Sequence, residues 1–133
     1  MRRINAALEN RQANHQTSMV EVQGMIQNQS TSILIYPGAS VSYVSPSIME
    51  KCNLSLKKFE KYWLVQLATG TKRKVVNYVE NCNFLMSQFQ IQVKLNILPL
   101  LCYDVLIGMD WMKKHQVILN CFQKTFTCLN DKG

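Results

Sequence analysis

Two short segments of this chain are written in nearly the same way. Ile33-Leu34-Ile35-Tyr36-Pro37-Gly38 runs an apolar strand into a glycine turn, and far downstream Val105-Leu106-Ile107-Gly108 does so again. A continuous run of branched apolar residues has no polar face, so it predicts a strand covered on both sides. Glycine then lets the chain turn where a side chain would obstruct it. A chain with two such units needs a core around them, and the pairing gives it a faint internal symmetry.

The remaining segments predict a mainly β protein. Met19 to Ile26 reads as a strand, Gln27 to Ser30 as a hairpin turn, and Thr31 to Tyr36 as the next strand. Ser45 can cap a short helix with Pro46 in its first turn, where the missing N–H costs nothing, and Asn53 suits its left-handed end. Tyr62 to Leu67 and Lys72 to Val79 flank the turn Ala68-Thr69-Gly70-Thr71. Phe84 to Met86, Phe89 to Leu95 and Val105 to Ile107 add strands. Asp110 is placed to cap a helix from Trp111 to His115, and Val117 to Phe122 with Thr125 to Leu129 form a closing hairpin. Many short strands with one or two short helices predict a small, mainly antiparallel barrel or sandwich.

At 133 residues one domain is expected, with residues 1–17 as a polar linker or weak helix and 131–133 as a tail. No run approaches the roughly 18 apolar residues of a membrane span. Met1-Arg2-Arg3 starts like a signal peptide, but Asn5, Glu9, Asn10 and Arg11 break the apolar stretch that would have to follow, so an intracellular protein is expected. The five cysteines, Cys52, Cys82, Cys102, Cys121 and Cys128, are odd in number and lack the close spacing of a zinc or redox motif. Free thiols in a reducing cytoplasm or nucleus, with no metal and no cofactor, is the reading that follows. The net charge of +7 comes from scattered clusters, Arg2-Arg3, Lys57-Lys58, Lys72-Arg73-Lys74 and Lys113-Lys114. These favour loose association with polyanions, but no continuous basic stripe with interleaved aromatics is visible in the sequence.

The order of several motifs resembles a known family. Leu34-Ile35-Tyr36-Pro37-Gly38-Ala39-Ser40, Tyr43-Val44-Ser45-Pro46, Ala68-Thr69-Gly70, Ile97-Leu98-Pro99-Leu100 and Tyr103-Asp104-Val105-Leu106-Ile107-Gly108-Met109-Asp110-Trp111-Met112 occur in succession. The series is similar to the retropepsin-like aspartic protease region of gypsy-class LTR retrotransposon Gag-Pol polyproteins, most familiar from plants, over roughly residues 19 to 129, and implies such a domain at 18–130. The resemblance implies a closed antiparallel barrel of the acid-protease type. It also implies a homodimer, an endopeptidase activity on peptide or polyprotein substrates, a flap at Ala68, Thr69, Gly70 and Thr71, and a strand Val105-Leu106-Ile107-Gly108 behind the active-site loop. The catalytic motif, Asp-Ser/Thr-Gly in that family, would fall on Tyr36, Pro37 and Gly38.

Aspartic proteolysis needs two carboxylates sharing one proton. A phenol with a reference pKa near 10 cannot replace one at ordinary pH, and Pro37 offers neither hydroxyl nor N–H. Asp104 and Asp110 read better as strand-edge and cap residues than as substitutes. Ser40 with His115 as base lacks the glycine frame of a nucleophile elbow, since position 42 is Ser. Two functions follow: a degenerate, inactive retropepsin-like domain, or a non-catalytic module on the same fold that binds peptide or RNA.

Overall fold

The computed structural model describes residues 2–3, 19–67 and 69–129. The expected helix or linker beyond Arg3, Ala68 of the turn, and the tail 131–133 lie outside the described residues. In chain order the elements are β1 (Arg2–Arg3), β2 (Val20–Ile26), β3 (Gln29–Ile35), β4 (Tyr43–Val44), α1 (Pro46–Cys52), β5 (Lys57–Gln66), β6 (Lys72–Met86), β7 (Phe89–Ile97), β8 (Val105–Ile107), α2 (Met109–Lys114), β9 (Val117–Asn120) and β10 (Thr125–Cys128).

The sheet runs β1-β5-β6-β2-β3-β8-β4-β7, and β7 pairs back onto β6. That last pairing closes β6, β2, β3, β8, β4 and β7 into a six-stranded barrel. Closure removes the open edges that a flat sheet would present. β5 lies outside the ring, paired antiparallel to the first half of β6, and β1 runs parallel to it, Arg2 opposite Val65. β9 and β10 form a separate antiparallel hairpin.

The barrel is mainly β with two short helices, as its patterning implies, but three details differ from the sequence reading. Lys72 to Val79 and Phe84 to Met86 are not two strands. They are one 15-residue strand, β6, whose register to β7 shifts between Val79 and Cys82. Asn81 takes a left-handed φ of 50° at this irregularity, so the strand bends and continues instead of ending. β5 begins at Lys57, earlier than its aromatic run suggests, because hydrogen bonding to β6 overrides the low strand propensity of lysine and glutamate. Tyr43–Val44 is also a strand, too short to show a period, held between β8 and β7.

α1 follows its signals closely. Ser45 precedes Pro46, and Asn53 closes the helix at φ 47°, ψ 48°. The Ser45 hydroxyl, however, meets Ser47 Oγ and makes no capping bond.

Two apolar clusters fill the interior. One, around Ile33, Ile35, Ile107, Met86 and Trp111, packs the barrel against α1, α2 and the β9–β10 hairpin. The other, around Leu34, Tyr36, Leu106, Tyr43 and Val65, packs the opposite face of the same two strands. β3 and β8 are therefore covered on both sides, as their unbroken apolar runs require.

Candidate functional site

β3 and β8 lie side by side and parallel, with Ile33 opposite Val105 and Ile35 opposite Ile107. The Tyr36 N–H extends the pairing by one bond to Ile107 O, 2.9 Å away. Both strands then turn. The first turn is closed by the Ala39 N–H on Tyr36 O at 3.4 Å. The second passes through Gly108 into α2, whose Met109 and Asp110 N–H groups bond Ala39 O at 2.8 Å and Ser40 O at 3.1 Å. The two strand–glycine units thus form one layer, with the loop 36–42 resting on the start of α2.

Ser42 fastens this layer. Its hydroxyl donates to Asp110 Oδ1 at 2.7 Å and accepts from the Gly108 N–H at 2.9 Å. Its own N–H reaches Asp110 Oδ2 at 3.0 Å, and its carbonyl accepts both the N–H and the side-chain amide of Asn96. Asp110 is therefore not the cap of α2. The cap position is Gly108, and the Asp110 carboxylate, in the first turn, bonds Ser42 and the Trp111 N–H. Gly108 is obligatory for packing: a Cβ there would lie 2.5 Å from Val41 O and 2.6 Å from Ala39 O, both backbone atoms.

Tyr36 is 5 % exposed and packs with Leu34, Ala39 and Leu106. Its ring folds back over its own turn, so that a Cβ added at Gly38 would fall on the Tyr36 Cζ and hydroxyl. Burial raises the phenol's pKa above its usual value, because the phenolate would lose its hydration. The group is a neutral phenol at acidic to neutral pH.

Neither described aspartate lies idle. Asp104 accepts from the Ser32 N–H at 2.9 Å and from its hydroxyl, tying the start of β8 to β3. Asp110 is held by Ser42. His115 is buried beneath α2 and packs on the Trp111 ring, with centroids 5.0 Å apart.

The turn between β5 and β6 is a tight hairpin tip. Leu67 N–H bonds Thr71 O at 2.8 Å, Gly70 N–H bonds Leu67 O, and Gly70 sits at φ 92°, where a side chain would be strained. Between this hairpin and the loop after Gly38 lies a cavity of about 520 Å³. Phe59, Trp63 and Leu64 wall it on one side, Lys94 and Asn96 on another, and Val41 and Asp110 on the third. Trp63 is braced by Tyr43 and Phe59, with ring centroids 6.3 and 6.1 Å away. Of the cavity residues, the sequence drew attention to Asp110, as a helix cap, whereas Val41, Phe59, Leu64, Lys94 and Asn96 carry no signal there. The Ser42–Asp110 link had only a faint signal there: a hydroxyl four residues past the first glycine and a carboxylate two past the second.

The whole chain, residues 1–133, matches the family model for the retroviral aspartyl protease. The chain belongs to that family, and its barrel is a retropepsin-like aspartic protease domain. Among solved structures it is similar to the retroviral protease-like domain of Ddi1 from Leishmania major, at 17% sequence identity and a TM-score of 0.64, over 86% of this chain and 91% of that one. At that identity the likeness concerns the fold. No curated protein sequence matches the chain. No helix among the described residues is long and apolar enough to cross a membrane.

Proposed function

We propose that this chain is a retropepsin-like domain of an LTR retrotransposon polyprotein, of the gypsy class found in plants, that keeps the protease scaffold and does not cleave peptides. On this reading Tyr36-Pro37-Gly38 occupies the position of the catalytic Asp-Ser/Thr-Gly, and Ala68-Thr69-Gly70-Thr71 is the flap. Val105-Leu106-Ile107-Gly108 is the strand that supports the loop. The working form is a homodimer in a reducing, intracellular compartment.

The observation that carries it is the Tyr36 ring lying over Gly38. A hydrolytic water needs a carboxylate that can take its proton. Here the strand end carries a buried neutral phenol, and its ring occupies space at the turn itself. The described aspartates are committed elsewhere, Asp104 to Ser32 and Asp110 to Ser42. Pro37 has neither hydroxyl nor N–H to offer a partner loop, so a dimer built on this turn is weaker than one built on serine or threonine.

Peptide cleavage between acidic and neutral pH tests the proposal, with the natural chain set against Tyr36→Asp and Tyr36→Asp/Pro37→Thr. Cleavage by an aspartate variant and not by the natural chain supports a scaffold silenced at this turn. Cleavage by the natural chain that survives Tyr36→Phe overturns it.

A further inference from the structure

We propose that the surface of the β5–β6 hairpin, together with Lys94 and the cavity under Trp63, binds single-stranded nucleic acid. The sequence shows its cations as separate clusters, but the fold gathers them. β5, β6, β7 and the β1 edge carry Arg2, Arg3, Lys57, Lys58, Lys61, Lys72, Arg73, Lys74 and Lys94 against only Glu60 and Glu80. That balance equals the whole net charge of +7, and the rest of the chain is neutral, with six basic and six acidic residues. The seven lysine and arginine side chains from Lys57 to Lys94 on these strands are all exposed. Surfaces kept merely soluble mix both signs, whereas a field of one sign draws polyanions.

Aromatic rings interleave with these charges, and this favours nucleic acid over an acidic peptide. Tyr62, 48% exposed, lies under Lys74 Nζ at 4.6 Å from its ring centre. Lys94 Nζ lies 4.4 Å from the Tyr78 ring and 4.9 Å from that of Phe59. Such pairs offer a cation to a phosphate and a ring to a base at one place. The adjoining cavity repeats the theme on a larger scale, with Phe59 and Trp63 as walls and the Asn96 amide beside Lys94. The Asp110 carboxylate in its lining repels a phosphate, so a base edge is the part that enters. Bases stacked in a duplex cannot reach such rings, which selects a single strand. β5 is ten residues long, roughly 30 Å at the usual rise, enough to track several nucleotides. The remaining pair, Lys113-Lys114, lies on α2, where Lys113 lines a different cavity beside Pro37. It serves as an internal control.

The test is fluorescence anisotropy of the full chain with a labelled oligouridine RNA of about 16 nucleotides, a length typical of such sites, across a series of salt concentrations. Binding is expected to weaken with salt, the logarithm of affinity falling by about 0.7 per phosphate contact for each unit of log salt. Lys72→Glu/Arg73→Glu/Lys74→Glu is expected to lower affinity more than about tenfold and to flatten that slope by about 2. Lys113→Glu/Lys114→Glu/Lys124→Glu, with the same charge change, is expected to stay within about twofold, because those lysines make no phosphate contact on this reading. Tyr62→Ala is expected to weaken binding at least about fivefold with the salt slope intact, the mark of a lost stacking contact. If charge reversal unfolds the hairpin, shown by a shifted urea midpoint, the milder Lys72→Gln/Arg73→Gln/Lys74→Gln takes its place. The proposal is overturned by absence of binding at low salt, by equal losses in the two charge-reversal variants, or by an unaffected Tyr62→Ala. Competition by polyglutamate or by phosphatidylserine vesicles as strong as by unlabelled RNA also overturns it, pointing to an acidic peptide or a membrane instead.

Discussion

The ends of β3 and β8 begin alike and finish differently. Each strand runs three apolar residues into a glycine turn, and the two are paired in register. Past Gly108 the turn is bound by polar groups: Ser42, Asp110 and Asn96 share hydrogen bonds of 2.7 to 3.0 Å. Past Ile35 the turn is filled by an aromatic ring lying on Gly38, with proline where a donor could have been. The first arrangement holds the barrel together whatever the protein does. The second supplies packing around a buried phenol. The two turns are thus held differently: one by hydrogen bonds that shape the loop, the other by a ring packed on its own glycine.

Replacing Gly108 with Ala should break the contrast most severely. The added Cβ meets two backbone carbonyls that cannot swing aside, so a loss of about 3 kcal/mol or more, or failure to fold, is expected in urea titration. Next is Asp110→Ala, which strands the Ser42 hydroxyl and N–H. Hydrogen bonds to a charged group put the cost at about 1.5–3 kcal/mol, and Asp110→Asn should recover part of it. A combined Ser42→Ala/Asp110→Ala protein that loses the full sum of the single effects would show that the pair is not coupled.

Gly38→Ala should cost less, about 1 kcal/mol, because what it meets is the end of a side chain. The penalty should nearly vanish in a Tyr36→Ala background, and a double-mutant cycle measures whether it does. An unchanged penalty would mean that the backbone, and not the ring, requires glycine there.

A further effect concerns pH. Burial raises the Tyr36 phenol, and it pushes the Cys82 thiol up to about 11 with help from nearby Cys52. As pH climbs from about 9, the unfolded chain releases these protons before the folded one does, so stability present at neutral pH declines and the thiol part is spent near pH 11. Urea midpoints across that window should fall, and Cys82→Ala should flatten part of the decline.

The barrel was largely legible because its signals are local: the unbroken runs at Ile33 and Val105, Pro46 inside a helix start, Asn53 at its end. What escaped notice depends on partners distant in sequence. Nothing around Asn81 shows that β6 survives its bulge, since the pairing with β7 decides that. Nothing around Asp110 shows that its carboxylate turns toward Ser42, 68 residues away, instead of capping its own helix. The turn at Tyr36 was legible as a motif with an unusual residue, but that the ring folds over Gly38 is a fact of packing. The cavity walls Phe59, Lys94 and Asn96 come from two strands and share no pattern along the chain.

The β3–β8 seam also bears on how such a chain is made. Ile33 must find Val105, and Asp104 must find Ser32, each pair 72 positions apart in sequence. A ribosome adding about 5–20 residues per second leaves β3 waiting roughly 4 to 14 s for its neighbour. During that interval β2 can shield one edge of β3, and the other edge, along the buried run Ile33-Leu34-Ile35, stays open. The segments made meanwhile, β5 and the first half of β6, are among the most highly charged in the chain. A nascent chain that exposes a sticky strand while it displays like charges is held apart from its neighbours on the same messenger until the last strand of the barrel arrives.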